Sequence, residues 1–111
     1  MYLKQKWYAA EQLVKKRYID QGYTAIIDNF TIRGGEIDLI MTHGDVLHFV
    51  EVKVVDTIDH LHDFITPRKL AALHRTIQTF CMQYEGDRES SLDVVFVQHG
   101  HIVEHFFNIT L

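Results

Sequence analysis

The 111-residue chain has one cysteine and one proline. The lone Cys81 excludes an intrachain disulfide and suits a reducing compartment. It falls on the apolar side of a predicted helix and reads as a small buried residue rather than a nucleophile. No run of about 20 apolar residues exists to span a membrane. The first residues, Met1-Tyr2-Leu3-Lys4-Gln5-Lys6, lack the apolar core and small residues of a signal peptide. The expected address is cytoplasmic, with no membrane partner. Excess positive charge is also missing. The formal net charge is −4, which argues against a broad nonspecific nucleic-acid coat but leaves room for a local phosphate site. No repeat, low-complexity tract or long linker divides the chain, so residues 1–111 read as a single domain.

The residues present are those of an ordinary globular protein, 47% hydrophobic and 23% charged. Eight histidines make the net charge sensitive to mild acid. From Leu3 to Gln21, Leu3, Trp7, Ala10, Leu13, Val14 and Tyr18 recur at helical spacing, and Gly22 supplies a stop. Residues 23 to 32 read as a strand, bent or broken by Gly34-Gly35. Residues 56 to 65 form a polar loop. Thr66-Pro67 then opens a second helix, with Thr66 as N-cap and Pro67 at the first helical position. Leu70, Leu73, Ile77, Phe80 and Tyr84 continue it, and Gly86 ends it. Leu92 to Val97 and Ile102 to Ile109 are the last two strands, joined at His99-Gly100. The predicted order is αβββαββ, an α/β fold with mixed strands.

The chemistry lies between the first helix and the second. Gly35-Glu36-Ile37-Asp38-Leu39-Ile40 and Phe49-Val50-Glu51-Val52-Lys53-Val54 flank a two-residue turn at Gly44-Asp45, where Gly44 suits type II′. That register sets Ile40 opposite Phe49, Asp38 opposite Glu51 and Glu36 opposite Lys53. Ile37, Leu39, Met41, Val50, Val52 and Val54 are expected on one face. Both faces are apolar enough to need cover, as in a sheet with helices on each side. Asp38 and Glu51 would repel unless a cation sits between them. Magnesium or manganese, with its preference for hard oxygen ligands, fits such a pair, and the backbone carbonyl of Val52 offers a third ligand. Lys53 projects on the Glu51 side, where it could orient or deprotonate a water or stabilise charge on a phosphate. These are the parts needed to hydrolyse a phosphodiester. The same residues admit a plainer reading, with Glu36 and Lys53 as a cross-strand ion pair and Asp38 capping the Gly34-Gly35 turn.

Gly35-Glu36-Ile37-Asp38-Leu39-Ile40, Phe49-Val50-Glu51-Val52-Lys53, Thr66-Pro67-Arg68-Lys69 and Leu92-Asp93-Val94-Val95 together resemble the YraN-like family of small bacterial proteins. That family is placed in the PD-(D/E)XK, restriction-endonuclease-like superfamily, which includes Holliday-junction resolvases. The resemblance implies an αβββαβ core, here with an extra C-terminal strand. It makes Asp38 the "D" and Glu51-x-Lys53 the "ExK" of the superfamily signature. It also matches Glu11 to a first-helix glutamate that points into the site. Glu11 lies on the stripe shared by Trp7, Val14 and Tyr18, an odd place for a solvated carboxylate. Two positions depart from the pattern. Ala10 stands where a glycine is usual, and Val55 stands where an arginine is usual.

Arg33 beside the Gly-Gly bend, and Arg68 and Lys69 at a helix N-terminus, are the candidate phosphate contacts. Lys4, Lys6, Lys15, Lys16 and Arg17 form a basic side on the first helix. Asp59-His60-Leu61-His62-Asp63 has metal-binding residue types, but such loop tracts are usually solvated. Asp93 reads as structural.

The resulting expectation is a metal-dependent nuclease acting on DNA, with branched or otherwise structured forms among the candidate substrates. Asp38 and Glu51 hold Mg2+ or Mn2+, Lys53 serves the water, and Glu11 and Glu36 support the site. A homodimer is compatible with two-strand cleavage. Two rivals are a nucleic-acid-binding accessory module of the same fold, weak or inactive in catalysis, and a structural protein whose charged hairpin end is a salt-bridge network.

Overall fold

The computed structural model describes residues 2–84 and 88–109. Helix α1 (Tyr2–Asp20) buries Ala10, Val14 and Tyr18, spaced four apart so that they fall on one face. Gly22, at φ 96°, adopts the left-handed turn that ends the helix, and the Tyr23 amide returns to the Tyr18 carbonyl at 3.0 Å. Strands β1 (Thr24–Ile32), β2 (Gly35–His43) and β3 (Val46–Val54) follow. A 3-10 turn at Leu61–Phe64 lies within the predicted polar loop. Helix α2 (Pro67–Gln83) starts as its sequence dictates: Thr66 Oγ1 accepts from the Lys69 amide at 3.2 Å, with Pro67 in the first turn. Strands β4 (Glu89–Gln98) and β5 (His101–Phe106) complete the fold.

The sheet order is β1-β2-β3-β4-β5. β1, β2 and β3 form an antiparallel meander, β3 and β4 are parallel with α2 as their crossover, and β5 returns antiparallel to β4. The architecture is therefore the expected α/β one, a mixed five-stranded sheet with one helix on each face. Ala10, Val14 and Tyr18 of α1 pack on Leu39, Met41, Val50 and Val95. Ile77 and Phe80 of α2 pack on Ile37, Ile40, Leu47, Phe49 and Leu92. A third cluster, Val55, Val94 and Phe96, is covered by Leu61 and Ile65 of the connecting segment. Val55 is thus a core residue here, which accounts for an apolar side chain at that position.

Several expectations change. β4 begins at Glu89, earlier than Leu92, and β5 stops at Phe106. Ile109 lies beyond the strand and donates its amide to the Leu92 carbonyl at 2.8 Å. The helix stop assigned to Gly86 lies outside the described residues. Cys81 is exposed, because the buried stripe of α2 runs through Ile77 and Phe80 and the next residue is rotated onto the flank. Trp7 is 53% exposed rather than part of the core stripe. No helix among the described residues is long and apolar enough to cross a membrane.

β2 and α2 meet closely at Gly35. A Cβ there would collide with Thr76 Oγ1 and stand 3.2 Å from the Ala72 carbonyl oxygen. Gly35→Ala should therefore lower stability by about 1–3 kcal/mol, as overpacking does. Chemical denaturation reads this directly, and an unchanged midpoint would refute the close approach.

Candidate metal centre

β2 and β3 pair from His43 opposite Val46 to Leu39 opposite Val50, and there the ladder stops. Gly44 has φ 59°, so the turn takes its positive φ at the first central position, as the sequence requires. Beyond Leu39, side chains replace the backbone ladder. The Asp38 amide donates to Glu51 Oε1 at 3.2 Å, and the Val52 amide donates to Asp38 Oδ2 at 2.8 Å. The two acids are thus locked across the opening between the strands, each fixed by the other strand's main chain.

The strands do not keep strict alternation here. Ile37 joins the α2-side cluster, whereas Leu39, two residues on, joins the α1-side cluster. On the neighbouring strand, Asp28 pairs with Lys15 of α1 while Phe30 meets Phe80 of α2. Asn29 between them has φ 53°. The β1–β2 ladder runs Asp28–Leu39, then Phe30–Ile37, so Asn29 and Asp38 face each other where both strands change sides. The expectation that Ile37 and Leu39 share a face is corrected by this paired irregularity.

Glu11, Glu36, Asp38, Glu51, Val52 and Lys53 all line one cavity of about 550 Å3. Glu51 is 8% exposed, and its carboxyl is pushed up to about 8, first by burial and then by the charge of Asp38; Lys53 opposes the shift. Asp38 is also raised by burial, although the Val52 amide and Lys53 pull it down. Glu11 is raised by burial, against a 3.2 Å hydrogen bond from Asn29 Nδ2, with Asp38 and Glu36 adding repulsion. Lys53 Nζ stands 3.6 Å from Glu51 Oε2. Converging buried carboxylates that resist ionisation are the donor set a divalent cation stabilises, and their oxygens are hard ligands. Asp38, Glu51 and Val52 fit the inner positions. Glu11 lines the same cavity from α1, with Asn29 Nδ2 donating to its Oε1.

Of the three candidate phosphate contacts, only Lys69 lines the cavity. Arg33 lies in the exposed turn after β1, and Arg68 is exposed on α2. Lys69 occupies the third position of the helix, a different azimuth from Arg68, and its Nζ is 5.7 Å from the Phe64 ring centroid. Trp7 and Phe64 also line the cavity and were not singled out from sequence. The signal for Trp7 was ambiguous, because helical spacing shared with core residues says nothing about where the sheet beneath ends. His60, His62 and Asp63 bring ligand atoms within 4.8 Å of one another, but all three are exposed, as in a solvated loop tract.

A mixed sheet between two helices, with acids converging where two central strands part, is consistent with a restriction-endonuclease-like core. The model of Uncharacterised protein family UPF0102 matches residues 10–97, and the chain belongs to that family. It is similar to a UPF0102 protein of Wolinella succinogenes, 38% identical over 92 residues and covering 83% of each chain. A Helicobacter pylori UPF0102 protein is 35% identical over 89 residues, 80% of this chain and 76% of the relative. One from Campylobacter fetus is 28% identical over 95 residues, 86% and 85% of the respective chains. The matched region contains Glu11, Asp38, Glu51, Lys53 and Lys69.

Proposed function

We propose that this protein hydrolyses phosphodiester bonds in DNA with a bound divalent metal, Mg2+ or Mn2+. The observation that carries the reading is the crosswise locking of Asp38 and Glu51 at the floor of a cavity, with Lys53 at 3.6 Å from Glu51. The metal, held by Asp38, Glu51 and the Val52 carbonyl, would polarise the phosphate and acidify a water. Glu51 and Asp38 supply the negative charge that binds it. Their backbone hydrogen bonds keep them in place without it, so little reorganisation accompanies binding. Lys53 orients the attacking water and faces the phosphate charge. Glu11 lines the site from α1, held by Asn29. Glu36 and Lys69 line the rim and adjust its charge.

Cleavage assays on supercoiled, branched and single-stranded DNA test this. Lys53→Ala should lower the rate about 10²- to 10³-fold, the usual worth of one donor aimed at developing charge. Cleavage that persists unchanged in Lys53→Ala and Asp38→Ala would end the proposal. In calorimetry, Mn2+ should bind the parent chain, and Asp38→Ala should weaken it at least about tenfold, since second-shell changes alone cost that much.

The net charge of −4 and the apolar Val55 favour a second reading, a binding or accessory module with little catalysis. Metal binding and DNA binding without any strand cleavage would select it.

A further inference from the structure

The chain has a single tryptophan, Trp7, and it stands 53% exposed on the wall of the cavity that holds the acids. Four residues along the same helix face is Glu11. Phe64, on the 3-10 turn of the connecting segment, lines the same cavity and is 36% exposed. Lys69 stands over the Phe64 ring. With three protein ligands an octahedral ion keeps about three waters, which at about 10–15 Å3 each occupy only a small part of a cavity. This cavity measures about 550 Å3. Besides the proposed metal ligands its wall carries two aromatic side chains, Trp7 and Phe64, and two lysines, Lys53 and Lys69, together with the acids Glu11 and Glu36.

We propose that Trp7 and Phe64 form a stacking platform for an unpaired nucleobase next to the phosphodiester held at the acids, so that the substrate class is single-stranded or locally unpaired nucleic acid. The inference rests on the phosphodiester reading of the same cavity. Bases within a duplex already have both faces stacked and offer a groove protein only edges and backbone. An unpaired base has a free π-face, and proteins that bind single strands pair aromatic platforms with cations that track the phosphates. Lys53 and Lys69 supply those cations. The acids supply none, which is why the phosphate needs the metal and the base needs the aromatics.

Trp7 is its own reporter. The full chain in calcium buffer is titrated with single-stranded oligothymidylate and with a blunt duplex of equal length, reading tryptophan emission. Saturable quenching by the single strand but not by the duplex is expected. By anisotropy of a labelled single strand, Trp7→Ala should bind about tenfold to a hundredfold more weakly, a typical loss for one stacked base. Trp7→Phe should retain most of the affinity. Both variants should melt with the parent, because the side chain is exposed. Equal quenching by duplex and single strand, or parental affinity in Trp7→Ala, overturns the platform. Its failure is separable from failure of the nuclease reading. Strand cleavage with KM unaffected by Trp7→Ala removes the platform and leaves hydrolysis. Selective quenching and affinity loss without cleavage remove hydrolysis and leave the platform.

Discussion

Glu51→Gln should melt at a higher temperature than the parent chain at pH 8 to 9 while abolishing cleavage. Burial and the neighbouring Asp38 raise the Glu51 carboxyl from 4.5 to about 8. Between those values the folded chain binds a proton that the unfolded chain has released. Stability from this group is therefore full below about pH 4.5 and is lost as pH rises through about 8. Above that, the folded protein carries a buried carboxylate that the unfolded chain would hydrate. Glutamine removes the titration but keeps an amide oxygen to accept from the Asp38 amide. It forfeits the 3.6 Å ion pair with Lys53, which limits the gain. The expected increase is about 1–3 kcal/mol, or about 5–15 °C in a domain of this size. The difference should vanish towards pH 4.5, where parent and variant are both neutral at this position. A variant that melts at or below the parent at pH 9 would show that Glu51 is not a stored destabilisation.

In the proposed metal site the same group would couple metal binding to proton release. A ligand carboxylate must be ionised, so apparent Mn2+ affinity should climb about tenfold per pH unit on approach to about 8 and level off beyond it. Calorimetry in buffers of different ionisation enthalpy would count the proton released. Stability given up at a site for a binding task is a common trade. Here one substitution separates the two sides of it, because the variant gains stability and loses function.

Local rules made Asp38 and Glu51 legible. Period-two alternation and a glycine at the first position of a two-residue turn are enough to set them opposite each other, and the observed ladder keeps that register as far as Leu39 and Val50. The change of sides at Asn29 and Asp38 was not legible. It depends on two strands being irregular at the same level, and nothing in either segment alone announces it. Trp7 and Cys81 show the limit of helical periodicity. Trp7 shares the spacing of Ala10, Val14 and Tyr18 yet stays exposed, and Cys81 is turned onto the flank of the buried stripe that runs through Ile77 and Phe80. Lys69 and Arg68 are adjacent in sequence and both exposed, yet about 100° of helix rotation puts Lys69 on the cavity wall and Arg68 away from it. Asp93 was legible as structural, but its partners come from segments far apart in sequence, which no local pattern connects.

Asp93→Ala should cost about 3–5 kcal/mol, because it strips the acceptor from a buried network. Asp93 is fully buried in β4, paired with Val50 of β3. Its Oδ2 accepts from the Tyr18 hydroxyl at 2.6 Å and lies 2.8 Å from His48 Nδ1. Its Oδ1 accepts from Ser91 Oγ at 2.7 Å and from the Asn108 amide at 3.1 Å. One carboxyl thereby ties α1, β3, β4 and the segment after β5. The Tyr18 hydroxyl also lies 2.9 Å from His105 Nε2, so it retains one partner when Asp93 is removed, whereas Ser91 and the Asn108 amide lose the acceptor they have here. A melting temperature lower by roughly 15 °C or more is expected. Asp93→Asn should fall between, since one amide oxygen replaces two carboxyl oxygens. Tyr18→Phe combined with Asp93→Ala should cost less than the sum of the two, because the double variant no longer buries an under-satisfied hydroxyl. The loss should also reach the acid site. Tyr18 is seven residues, two turns, beyond Glu11 on α1, so the bond that fixes Tyr18 also fixes the rotation that turns Glu11 into the cavity. Asp93→Asn should therefore weaken Mn2+ binding even at temperatures where the variant is fully folded. Parental stability in Asp93→Ala would mean that the network contributes nothing, and the anchoring of Glu11 would fall with it.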